Sequence, residues 1–141
     1  MRASTLLDFT PRAQGQQAGL ALRMNEDNHY QLLVAGTGKG RVLRLVTRVK
    51  GVSTVLREAP LGAGKVELRV RAFPDRYVFG YRVGGRELAD FGSAPTSPLS
   101  SEDAGGFTGV VLGMVAHSAD GAPMPPADFD WFDYRPAHDS K

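Results

Sequence analysis

The sequence predicts an all-β fold, an antiparallel β-sandwich of two sheets. Three observations carry this. About ten short segments alternate apolar and polar residues, the period of a strand with one buried face. Clusters of Gly, Pro, Asn and Asp separate them at close intervals. No window combines a helical period with a cap and a stop. The chain of 141 residues has an ordinary globular composition, with 42% apolar and 23% charged residues, and is long enough for one real core. No linker or internal repeat divides it, so residues 1–141 read as a single domain with its core over about 4–136 and a frayed tail at 137–141.

Ser4 to Phe9 is a short first strand, ended by Pro11. Ala18, Leu20, Leu22 and Met24 alternate with Gly19, Ala21 and Arg23. Asn25 to Asn28 is a turn, since short polar side chains bond their own backbone, and His29 to Val34 completes a hairpin. Gly36 to Gly40 turns again. Arg41 to Val49 sets Leu43, Leu45 and Val49 against Arg44 and Arg48; Lys50-Gly51 turns, and Val52 to Arg57 returns. Ala59 to Gly64 is a loop. Val66, Leu68, Val70 and Ala72 face the core, with Glu67, Arg69 and Arg71 toward water. After Pro74-Asp75, Tyr77, Phe79, Tyr81 and Val83 form an aromatic strand face. Gly84-Gly85 suits a two-residue turn, and Arg86 to Phe91 returns. Gly92 to Asp103 is the longest connection. The stretch from Ala104 to Ala116 begins as a glycine loop and continues as a strand with small and apolar faces, expected to be buried on both sides. A proline-rich loop over Ala119 to Pro126 precedes the aromatic last strand, Ala127 to Arg135.

Composition excludes several classes. The chain has no Cys, which removes a disulfide scaffold, a thiolate metal site and a Cys nucleophile. Net charge is +2, from 17 basic and 15 acidic residues, and the Arg are scattered rather than clustered, so no nucleic acid partner is expected. No stretch has the apolar length of a membrane span, so no membrane partner is expected. MRASTLLDFTPR lacks a signal peptide's apolar core; with the absence of Cys, this points to a cytoplasmic setting.

Chemistry-bearing patterns are few. His29, His117 and His138 stand at no metal-ligand spacing. Gly62-Ala63-Gly64-Lys65 lacks the preceding Gly and following Ser or Thr of a phosphate loop and leads into a strand, so it is set aside. Asp128 and Asp130 share a strand face and are the weak candidates for Ca²⁺, although a solvated edge explains them as well; no other metal or cofactor is indicated. Trp131 could stack on a sugar or belong to the core, and Glu102 could hydrogen-bond a sugar. Phe107 sits between Gly105-Gly106 and Thr108-Gly109 on a loop tip, where it either folds onto its own core or is presented to a partner. No catalytic residue can be nominated.

Three segments together resemble a known family: QAGLALRMNEDNHYQLLV (Gln17 to Val34), LSSEDAGGFTGVVLGMVA (Leu99 to Ala116) and PADFDWFDYRP (Pro126 to Pro136). Their order and spacing are similar to the C-terminal concanavalin A-like domain of glycoside hydrolase family 43 β-xylosidases. The segment ELRVRAFPDRYVFGYRVGG between them also resembles it. The resemblance implies a jelly-roll sandwich that packs, in cis or in trans, on a catalytic propeller carrying the three catalytic acids. None of those acids can be assigned here, so the isolated chain is expected to be inactive. It also implies that the loop of Gly105, Gly106, Phe107 and Thr108 reaches the propeller's substrate pocket, with Phe107 as a wall against a xylo-oligosaccharide or arabinoside. Family members carry further residues before the segment matching Ser4 to Phe9, which implies one or more missing N-terminal strands and an open edge. The function so implied is an accessory domain of a β-xylosidase or α-L-arabinofuranosidase. The alternatives are a free-standing carbohydrate-binding module, using Trp131 or the Tyr77, Phe79 and Tyr81 face, and a non-catalytic interaction domain.

Overall fold

The computed structural model describes residues 2–97, 111–118 and 127–135, with side chains in the last two segments described for 112–118 and 127–129. Among them are ten strands: β1 (Arg2–Phe9), β2 (Gln16–Asn25), β3 (Asn28–Thr37), β4 (Gly40–Val49), β5 (Val52–Pro60), β6 (Val66–Ala72), β7 (Arg76–Val83), β8 (Ala89–Pro95), β9 (Val111–Ser118) and β10 (Ala127–Arg135). They form two antiparallel five-stranded sheets. Sheet A runs β10-β1-β6-β7-β8 and sheet B runs β5-β4-β3-β2-β9.

Alternation puts one face of each strand into the space between the sheets. Leu7 and Phe9 of β1, Val66, Leu68 and Val70 of β6, and Tyr77 and Phe79 of β7 meet Leu20, Leu22, Tyr30, Leu32, Leu43 and Leu45 of sheet B. Each such fully buried side chain contributes about 2 kcal/mol of burial free energy. The inward parity expected for β2, β4, β6 and β7 is what the sheets contain.

The turns follow local chemistry. Lys50 and Gly51 have φ of 52° and 80°, a two-residue connection with both residues left-handed. This turn is tied to its neighbour: Gly51 N donates to Asp27 O at 3.0 Å, and Lys50 N to Asn28 Oδ1 at 3.0 Å. Gly84, at φ 60°, opens the β7–β8 connection.

Three expectations are corrected. The strand after Gly84-Gly85 is Ala89–Pro95, not Arg86 to Phe91. A bulge between Phe79 and Gly80 shifts the register and turns Phe91 inward. Thr96 then holds the strand's far end on the β6–β7 turn, bonding Asp75 O through its amide (3.1 Å) and Pro74 O through its hydroxyl (3.0 Å). The strand after Phe107 is not buried on both sides. Among the described residues β9 is a sheet edge beside β2, and Met114 is 46% exposed while Leu112 packs on the core. The two-residue turn expected at Gly84-Gly85 is a longer connection, because β7 ends at Val83 and β8 begins at Ala89; β1 itself pairs with β10 on one side and β6 on the other.

All strands run between two ends. At the proximal end β1 begins at Arg2, the β2–β3, β4–β5 and β6–β7 turns close, β8 finishes, β9 starts and β10 ends. At the distal end lie the connections after β1, β3, β5 and β7, and there β9 finishes and β10 begins.

Candidate functional site

The proximal end gathers the features a site needs. The strand β8 reaches it beside the β6–β7 turn, and β9 leaves it with Val111 opposite Arg23. The connection from residue 98 to 110 therefore starts and finishes here. Its first anchor is rigid. The Tyr30 hydroxyl donates to Pro95 O at 2.6 Å. The Tyr30 ring meets Tyr77 and Phe79 edge-on at 6.0 and 6.4 Å. Burial, with Tyr77 alongside, pushes the Tyr30 hydroxyl up to about 12, so it stays a donor at neutral pH.

On the β6–β7 turn, Phe73 stands 36% exposed between two guanidiniums. Arg76 Cζ lies 4.7 Å and Arg71 Cζ 5.6 Å from its ring centroid, both in cation–π range. Sequence reading passed over this group. The signal was available: Phe73 follows Ala72 with the parity of Glu67, Arg69 and Arg71, so it belongs to the outer face.

On the outer face of sheet B, near the same end, Ala21, Arg23, Glu26, His29, Gln31 and Val115 line an open groove of about 270 Å³. Burial lowers the His29 pKa, aided by Arg48 and Arg23 against Asp27, so the ring is neutral at pH 7. The groove offers donors and acceptors over a floor of small side chains.

The sequence-derived candidates fall as follows. Gly105, Gly106, Phe107, Thr108 and Glu102 lie outside the described residues. Trp131 and Asp130 lie in β10, Trp131 at the register position opposite Leu6, with their side chains outside the description. Asp128 is exposed and stands opposite Asp8. Among the described residues no three His, Asp or Glu gather as metal ligands. The aromatic face of β7 is not a sugar platform: Tyr77 and Phe79 are 8% and 1% exposed and belong to the core. The loop after β5 makes no phosphate cradle, since Arg41 donates to Gly62 O at 2.9 Å and also to Gly64 O, turning the loop carbonyls inward. His29 is half-buried and His117 is exposed, with its Nε2 2.8 Å from Gln17 Nε2.

Residues 1–135 match the family described as "Beta xylosidase C-terminal Concanavalin A-like domain". The chain belongs to that family. It is an accessory domain of the kind that forms part of larger GH43 xylosidases and arabinofuranosidases. Among its relatives is the "Non-reducing end alpha-L-arabinofuranosidase BoGH43B" of Bacteroides ovatus, 38% identical over 137 residues, covering 96% of this chain and 26% of the relative. Another is the "Xylosidase/arabinosidase 43B" of Humicola insolens, 31% identical and covering 95% and 27%. Among solved structures, the GH43 protein BlXynB of Bacillus licheniformis superposes with a TM-score of 0.85 at 28% identity, over 93% of this chain and 26% of that one. The chain thus spans about a quarter of the length of the relatives it matches.

Proposed function

We propose that this domain packs against a family 43 catalytic domain and helps to shape its substrate pocket through the connection 98–110, with Phe107 as the wall. One observation carries the reading. The strand β1 begins at the same end at which β8 finishes and β9 starts. In a longer chain of the relatives' layout, whatever precedes β1 enters at this end of the sandwich. A Phe on the connection 98–110 could exclude water from the pocket and restrict which ends of a saccharide fit. The names of the relatives support xylosides or arabinosides as the substrate class. The docked area is expected on the order of 1,000 Å² or more.

The test is kinetic. In the complete enzyme, Phe107→Ala is expected to lower kcat/KM for aryl xylosides or arabinofuranosides by roughly tenfold or more, since an aromatic pocket wall is worth about 1.5–3 kcal/mol. Melting of the domain should be unchanged. Wild-type kinetics in that variant would overturn the role given to Phe107.

A further inference from the structure

Among the described residues, the outer face of sheet A carries arginines without an ion pair at its proximal end. Registers set Arg135 opposite Arg2, and Arg2 opposite Arg71, a row of three arginines across β10, β1 and β6. Like charges facing each other across strands are destabilising. One step inward the row runs Asp133, Ser4, Arg69, Gly80. Arg69 Nε is buried and bonds no partner, an arrangement that calls for an explanation. Burial lowers the Arg69 pKa, and Arg2 and Arg71 lower it further against Glu67 and Asp90.

The nearby described carboxylates are already engaged. Asp90 takes Arg71 at 2.9 Å, Asp75 takes Arg76 at 3.0 Å, and Glu67 takes Arg82. Arg2 and Arg69 form no ion pair with a described residue. At the margin of this face Phe73 stands exposed between Arg71 and Arg76. An accessible aromatic flanked by guanidiniums is the composition of an interface anchor.

We propose that this face, centred on Phe73 with Arg71, Arg76, Arg69 and Arg2, is the surface that docks on the catalytic domain, and that it meets a carboxylate-bearing patch there. The inference rests on the reading of the chain as an accessory domain, and it names the contact. Charge complementarity selects an acidic surface, and β1 begins at this end of the face. The competing surface is the β5 edge, where Val52, Val55 and Leu56 are 67%, 52% and 46% exposed. There Arg44 pairs with Glu58, and Arg57 is held on Phe91, over its ring and bonded to its carbonyl.

Phenylglyoxal labelling of arginines, read by peptide mass, separates the cases. In the isolated chain Arg71 and Arg76 should label readily; in the complete enzyme their labelling should slow by roughly tenfold, while Arg57 on β5 stays unchanged. The variant Arg71→Gln/Arg76→Glu, added in trans to the catalytic domain, should bind roughly tenfold more weakly than wild type and lose the wild type's salt dependence. Protection at Arg57 with Arg76 still reactive would overturn this docking face and leave the accessory role standing. Unchanged labelling everywhere would overturn both. Protection of the isolated chain by glucuronoxylan, with none from the catalytic domain, would assign the face to an acidic polysaccharide and overturn the proposal.

Discussion

The two ends of the sandwich treat their polar groups in opposite ways. At the distal end the chain satisfies itself. Arg41 donates to Phe9 O at 2.7 Å and also to Gly62 O and Gly64 O, tying the exits of β1 and β5 to the start of β4. Gln16 Oε1 accepts from the amides of Arg12 and Ala13 at 2.7 and 3.1 Å. The loop so capped lies against Gly36, where a Cβ would meet Ala13 O at 2.4 Å, and Pro11 as well. At the proximal end guanidiniums stack on an exposed ring, Arg2 and Arg69 form no ion pair with a described residue, and a long connection starts and finishes. An end whose loops are tied together by its own arginine and glutamine is a structural closure. An end that leaves donors pointing outward is organised for something beyond the domain.

Four measurements sharpen this contrast. The largest effect is expected at the distal end. Arg41→Ala removes a charged donor from three carbonyls, so it should cost about 3 kcal/mol and lower Tm by roughly 10 °C, measured by thermal melting of the isolated chain. A loss under about 0.5 kcal/mol would show that solvent replaces the guanidinium and that this end is not sealed by it.

Alkaline titration comes next and reads the proximal end. The folded pKa of Tyr30 is raised to about 12 from 10.0. The protonated phenol is therefore the form favoured by folding. Its contribution is fully present below pH 10 and is lost as pH rises toward about 12. Melting followed against pH should show stability falling across that window, and Tyr30→Phe should flatten the fall. An equally steep fall in the variant would place the alkaline lability elsewhere.

Tyr30→Phe at neutral pH should itself cost about 1 kcal/mol, because Pro95 O loses its donor while the ring packing remains. The smallest effect is expected at the proposed contact. Arg76→Ala should change the stability of the isolated chain by less than about 0.5 kcal/mol, since exposed pairs such as Arg76–Asp75 contribute little. A large loss on melting would mean that the Phe73 stack holds the fold together rather than facing a partner.

Much of the fold was legible because it is local. Parity along β2, β4, β6 and β7 was readable from alternation, and the turns at 50–51 and beginning at Gly84 from residues that accept positive φ. What failed depends on distant partners. The limits of β8 are set by a bulge against β7 and by the grip of Thr96 on the β6–β7 turn, neither of which leaves a periodic trace. The exposure of Met114 goes with the sheet order among the described residues, because the same alternating pattern is buried in a central strand and half-open at an edge. The aromatic face of β7 was read correctly as a face, but its burial depends on Tyr30 from the opposite sheet. The candidate site was legible mainly as the resemblance around Phe107; the Phe73 group, carried by parity alone, was not picked out.

The most direct test of the central claim compares amide hydrogen exchange in the isolated chain and in the complete enzyme. The account predicts slower exchange in the complete enzyme at residues 73–76, 96–97 and along 98–110, with residues 38–41 and 61–65 unchanged. Slowing confined to 38–41 and 61–65, with the proximal end exchanging as it does in isolation, would contradict it.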